Sequence, residues 1–186
     1  MQMEVRHYGD PVLREKGTPI EEFDDALKKL VDDMIETMNA EQGVGLAAQQ
    51  VGLARMLCVV QVPAEYDVDE EGNRENPDLP MPLVLVNPEI TEHSSETWSM
   101  DEGCLSFPEM TGPISRACSI AFTYQDLTGA RHEARATGFA ARVIQHEVDH
   151  LNGVLFIDRM SAVKRIALGG RLKRMKRETR AQLGLA

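Results

Sequence analysis

From Asp24 to Gln42 the apolar residues Leu27, Leu30, Val31, Met34, Ile35 and Met38 recur three and four apart, the period of an amphipathic helix with one face on a core. Asp24 or Asp25 can cap its start and Gly43 can end it. Gly43 to Gly52 is rich in glycine and alanine and reads as a turn region, as does the earlier Asp10-Pro11. Met56 to Val62 is a short apolar run, which predicts a buried strand. Pro63 to Pro82 is polar, acidic and punctuated by proline, so it reads as a solvent-exposed insertion whose acids form a solvated face. Leu83 to Val86 predicts a strand stopped by Asn87-Pro88, and Thr91 to Ser99 another before a loop over Asp101–Pro108. Ala117–Asp126 and His132–Thr137 form a hairpin pattern around Thr128-Gly129. Gly138 to Asn152 carries Phe139, Val143, Ile144 and Val148 at helical spacing, with Gly153 as its stop. Residues 161–183 predict a long basic helix, interrupted at Gly169-Gly170.

A chain of 186 residues supports one domain with a substantial core, and no repeat or linker divides it. We therefore expect residues 1–186 to be a single catalytic domain ending in the basic helix. Aromatic residues are 5% of the chain, so packing rests on Leu, Val, Ile, Ala and Met. No apolar run approaches the roughly 20 residues of a membrane span, which argues against a membrane partner. Met1 to His7 has neither a basic start nor an apolar stretch, which argues against a secretory signal. Cys58, Cys104 and Cys118 are odd in number and lack framework spacing. A reducing cytoplasm is the expected setting, where a cysteine serves as metal ligand or core residue. The net charge of −10 is uneven: from Lys164 onward eight bases face one acid, a net +7, and the rest of the chain carries −17.

The chemistry concentrates in His146-Glu147-Val148-Asp149-His150. Residues four apart on a helix share a face, so the two imidazoles can bind one metal. Glu147 is turned about 100° away; it is poorly placed as a ligand on that face and can hold a water instead. A catalytic site of this kind takes three protein ligands and leaves one position open. Phe156 stands where a metzincin would place its third histidine. Asp158 is too close to the helix, and Glu178 sits among arginines. Cys58 and Cys118 lie among apolar or small residues in predicted strands and read as core. Cys104 lies between Gly103 and Pro108 in an irregular segment and is the best third ligand.

Three segments resemble the motifs of the peptide deformylases, in that family's order: Gly43-Val44-Gly45-Leu46-Ala47-Ala48-Gln49-Gln50, Glu102-Gly103-Cys104-Leu105-Ser106 and Gln145-His146-Glu147-Val148-Asp149-His150. Gln49 departs from the family, which more often has proline or threonine there. The resemblance implies an α+β fold, with antiparallel β-sheets packed around a central metal-bearing helix and a helix at the C-terminus. It implies Cys104, His146 and His150 as ligands of ferrous iron, with zinc or nickel as other forms. Glu147 would be the acid/base, and Gln50 with the backbone N–H of Leu105 would bind the formyl oxygen. The implied reaction removes the formyl group from the N-terminal formyl-methionine of nascent peptides in a bacterial cytoplasm. Val44, Gly45, Phe139 and Val143 are the expected substrate contacts. Arg142 would touch substrate backbone or pair with a surface acid. The basic helix suits ribosomal RNA, and DNA is not an expected partner. Two rival readings use the same helix. A zincin-like peptidase is opposed by Phe156. An inactive, metal-stabilised binding module would need Cys58 or Cys118 to close the site.

Overall fold

The computed structural model describes residues 1–185. Helix α1 spans Asp25–Ala40 and is capped by the Asp24 carboxylate, which accepts the Leu27 N–H. Its left-handed exit residue is Gln42 (φ 57°) and not the expected Gly43. The glycine-rich segment is more ordered than a turn. It forms strand β1 (Gly45–Ala47) and a 3-10 helix (Ala48–Val51).

Strand β2 (Leu57–Val60) pairs with β1 and with β3 (Leu83–His93); β6 (Ser119–Gln125) and β7 (Arg131–Thr137) complete a five-stranded antiparallel sheet in the order β1-β2-β3-β6-β7. All four residues of β2 are buried because both of its faces are covered. Side chains alternate along a strand. Leu57 and Val59 accordingly join α1 residues such as Val31, Met34 and Met38. Cys58 and Val60 pack on the other face with Ala140, Ala141 and Ile144 of helix α2 (Gly138–Leu151).

Asn87-Pro88 does not stop β3. It makes a bulge, and the register shifts between Val86 and Glu89. Asn87 takes a left-handed conformation (φ 49°). Its side chain accepts from Ile20 N and donates to Ile20 O, each at 2.8 Å, and donates to Gln125 at 2.7 Å. A residue expected to end a strand thus bridges the sheet to the N-terminal segment. The predicted strand over 91–99 is two strands. β3 ends at His93, and β4 (Thr97–Gly103) pairs with β5 (Thr111–Ala117) in a separate ribbon. Cys118 lies half-buried in the bend between β5 and β6, outside the core.

Beneath the ribbon a third cluster gathers Phe107, Ile114, Leu155, Phe156 and Leu172, drawing in the short helix α3 (Phe156–Arg159). The C-terminal segment breaks at Leu168 into α4 (Ala162–Ala167) and α5 (Gly169–Gln182), with both glycines inside α5. The result is an α+β architecture in which α2 runs between the sheet and the ribbon. Among the described residues no helix is long and apolar enough to cross a membrane.

Asn87→Ala is expected to lose about 2–3 kcal/mol of stability, from its broken hydrogen bonds and from alanine's strain at positive φ. Asn87→Gly should recover the backbone share, about 1 kcal/mol. Urea midpoints read both. An alanine variant within about 0.5 kcal/mol of the parent would contradict this role.

Candidate metal centre

Helix α2 presents His146 and His150 one turn apart, with ring centroids at 4.9 Å and Nε2 atoms at 3.2 Å. Cys104 follows β4 in a tight turn closed by the Phe107 N–H on the Cys104 carbonyl. Phe107 is stacked on Tyr8 and set edge-on to Phe156, each at 5.0 Å, which fixes the turn against the core. The Cys104 Sγ then lies 3.3 Å from His150 Nε2. The three donor atoms fall within 4.8 Å of one another.

Tetrahedral coordination at ordinary bond lengths would separate two imidazole nitrogens by about 3.3 Å, and nitrogen from sulfur by about 3.6 Å. The donor set therefore fits one divalent metal. It numbers three among the described residues, which leaves a fourth position open. Phe156, at the metzincin ligand position, is buried with its ring 6.3 Å from that of His146.

A buried charge network orients the first histidine. Glu102 Oε2 accepts from His146 Nδ1 at 3.1 Å, which turns the opposite ring nitrogen, Nε2, toward the donor group. Glu102 is in turn gripped by Arg116 through Nε (2.6 Å) and Nη2 (2.8 Å) and by Arg142. Arg116 also donates to Asp149, which Arg159 holds from the other side. Burial by itself would raise the Glu102 pKa. The hydrogen bonds from His146 and Arg116 outweigh it and hold the group at about 2. Glu102, Arg116 and Asp149 have no role that the sequence alone discloses. The available signal was general: charges that fold into an interior must be paired.

Glu147 points elsewhere, into a cavity of ≈ 530 Å³. It is 3% exposed, and its Oε2 has no hydrogen-bond partner. Desolvation is the main cause that raises its pKa to about 7, suitable for taking and returning a proton at neutral pH. Gly45 makes room for it: a Cβ there would fall 2.3 Å from Glu147 Oε1.

The adjacent glutamines face different ways. Gln50 accepts the Ala47 N–H through Oε1 at 2.8 Å and turns its Nε2 toward Cys104 Sγ (3.5 Å) and Ser106 Oγ (3.4 Å). Gln49 turns toward the Leu151 and Glu15 carbonyls, away from the cavity. Val44, Gly45, Leu105, Phe139 and Val143 all line the cavity. Arg142 contributes to that wall but is not at the surface. It is 3% exposed, and its guanidinium is taken by Glu102, the Ile114 and Trp98 carbonyls and the Trp98 ring.

The Glu102 network sets a pH dependence. The folded pKa lies below the ordinary carboxylate value, so its stabilisation is complete above pH about 4.5 and is lost as pH falls through about 2. In chelator-treated protein, Glu102→Gln is expected to cost roughly 3 kcal/mol at pH 7, with the gap closing at low pH. Urea unfolding across pH measures it. A pH-independent difference would assign the loss to packing.

Three comparisons bear on this arrangement. The polypeptide deformylase family model matches residues 2–166. A peptide deformylase from Opitutus terrae is 46% identical over 97% of this chain and 96% of its own length. One from Thermotoga maritima is 46% identical over 90% and 93%. Among solved structures, a plant peptide deformylase superposes with a TM-score of 0.86 at 37% identity, covering 98% of this chain and 94% of that one. The Thermotoga maritima structure gives 0.76 at 43% identity, over 87% and 99%. With the three motifs gathered on one cavity, the match over most of its length shows that the chain belongs to the peptide deformylase family of enzymes.

Proposed function

We propose that this enzyme performs the family's reaction, removal of the formyl group from the N-terminal formyl-methionine of new polypeptides, with a divalent metal held by Cys104, His146 and His150. The observation that carries the reading is the cluster of these three donors, two of which, Cys104 and His146, line the cavity that Glu147 enters with an unpartnered Oε2. The substrate's identity comes from the family match, and the role of each residue from its place in the cavity. Ferrous iron is the metal we assign. Two imidazoles and a thiolate suit borderline cations, so zinc and nickel fit the same donors.

A metal on these donors supplies Lewis acidity and lowers the pKa of water toward neutrality. Glu147 receives a proton from the attacking water and passes it to the leaving amine as the formyl C–N bond breaks and formate departs. Gln50 Nε2 faces the donor group and can hydrogen-bond the oxygen that becomes negative. Leu105 lines the same cavity, and its backbone N–H, which has no acceptor among the described residues, would serve as the second donor. Phe139, Val143 and Val44 give the methionine side chain an apolar wall, and Gly45 lets substrate and Glu147 approach β1 closely.

We place the activity in a bacterial cytoplasm, since relatives at 46% identity come from bacteria. The ribosome is a fitting partner for the C-terminal segment, where Lys164, Arg165, Lys173, Arg174, Lys176 and Arg177 are exposed. We read residues 1–186 as one catalytic domain. The peptidase and binding-module alternatives gain no observation: Phe156 is buried, and the donor group is open, with no fourth ligand among the described residues.

Formate release from a formyl-Met tripeptide by anaerobically prepared, iron-loaded protein tests the reading. The parent should turn over and Glu147→Ala should not. Gln50→Ala should lose about 10²–10³ in turnover, as for one oxyanion donor. A parent that binds metal but releases no formate would overturn the reading. A second outcome concerns the metal-free site. Burial pulls the His146 imidazole down, but its hydrogen bonds with Cys104 and Glu102 prevail and hold its pKa at about 10. It therefore carries a proton at pH 7.5, which a metal must displace. Titrating zinc into apo-protein in weak buffer should release at least about one proton per metal. Loading without release would contradict capture of the metal by the Cys104–His146 pair.

A further inference from the structure

Helix α2 begins without a cap of its own, since the Thr137 side chain makes no capping hydrogen bond. The acidic 63–82 segment supplies the missing partner. Asn76 pairs with Thr137 as another peptide would: Oδ1 accepts the Thr137 N–H at 2.8 Å, and Nδ2 donates to the Thr137 carbonyl at 3.2 Å. Asn76 is 5% exposed and is held by Asp67, itself 1% exposed and paired with Arg74. Asp67 is thus an anchor, against the expectation that the acids of this segment form a solvated face. Glu75 closes over the same helix end so tightly that a Cβ on Gly138 would fall 2.0 Å from its carboxylate.

The next residue of the helix is Phe139, which lines the cavity. Its ring is backed by Tyr66 of the same segment, with centroids 5.7 Å apart and planes at 49°. Tyr66 is 58% exposed and does not line the cavity itself. A mostly exposed aromatic therefore braces the outer side of a ring whose inner side faces the substrate space.

We propose that Tyr66 and Asn76 are positioning residues for the reaction: Asn76 fixes the start of α2 and Tyr66 fixes Phe139, and together they set how closely the cavity grips the side chain of the formylated residue. This rests on the deformylase reading above. An aromatic pair of this geometry, removed from behind a contact wall, changes affinity by about three- to tenfold.

Steady-state kinetics of the metal-loaded full chain on formyl-Met-Ala-Ser and formyl-Ala-Ala-Ser test it. Tyr66→Ala should raise KM for the formyl-Met peptide about three- to tenfold, with kcat and metal content unchanged. Its KM for the formyl-Ala peptide should not move, because that substrate has no long side chain to grip. Tyr66→Phe keeps the ring and should match the parent. Asn76→Ala should reproduce the KM effect at a lower Tm, and the tyrosine pair decides the matter if it fails to fold. Unchanged discrimination in Tyr66→Ala would overturn the proposal alone, as would an equal loss in kcat on both peptides. A parent that turns over neither peptide would overturn the deformylase reading and this inference with it.

Discussion

The ion pairs around Glu102 are the interaction on which the site depends. One carboxylate from β4 joins a guanidinium from β5 and, from α2, both Arg142 and His146. Each of these groups is buried or nearly so. Removing such charges from water costs several kcal/mol per ion, and only close, multiply bonded geometry offsets it. The network is therefore stable in one arrangement, and that arrangement fixes the spacing of ribbon and helix. Cys104 lies two residues beyond Glu102, so the same constraint delivers the thiol to the histidines. Asp149, between the two histidines in sequence, ties the far end of the helix to Arg116 and Arg159.

Small residues complete the arrangement on the other side. Ala140 and Ala141 on α2 and Ala47 on β1 are fully buried, which allows helix and sheet to pack closely. Gly45 leaves the space that Glu147 occupies. The polar groups of the site thus sit on rigid elements, with their orientation set before any substrate arrives. Glu147 is the exception to the pairing rule. Its unpartnered oxygen, removed from water by burial, is the cost of a carboxyl group that titrates near neutrality.

Helical periodicity made α1 readable, because it buries one face and leaves the other polar; α2 shows helical spacing of its apolar residues too, although sheet and ribbon cover it on both sides and none of its residues is exposed. The β6–β7 hairpin was legible from alternation around Thr128-Gly129. The donor cluster of Cys104, His146 and His150 could be reasoned from spacing, since only Cys104 lay outside the apolar runs. Strand β5 was missed because Gly112, Pro113 and Arg116 give it a composition unlike a strand; its burial comes from the third cluster beneath it. The Asn87-Pro88 bulge was misread as a stop because its bonds to Ile20 and Gln125 are long-range. For the same reason no local pattern showed that Arg142 turns inward to Glu102, or that Asp67 anchors the acidic segment.

The central claim is that one metal is held by a single thiolate and two imidazoles with a position left for reaction. X-ray absorption at the metal edge of freshly purified, formate-releasing protein tests it most directly. The account predicts one sulfur scatterer at about 2.3 Å, with nitrogen or oxygen neighbours at about 2.0–2.1 Å for zinc-loaded protein. A shell without sulfur, or with two sulfurs, would contradict it, since neither can be built from Cys104, His146 and His150 alone.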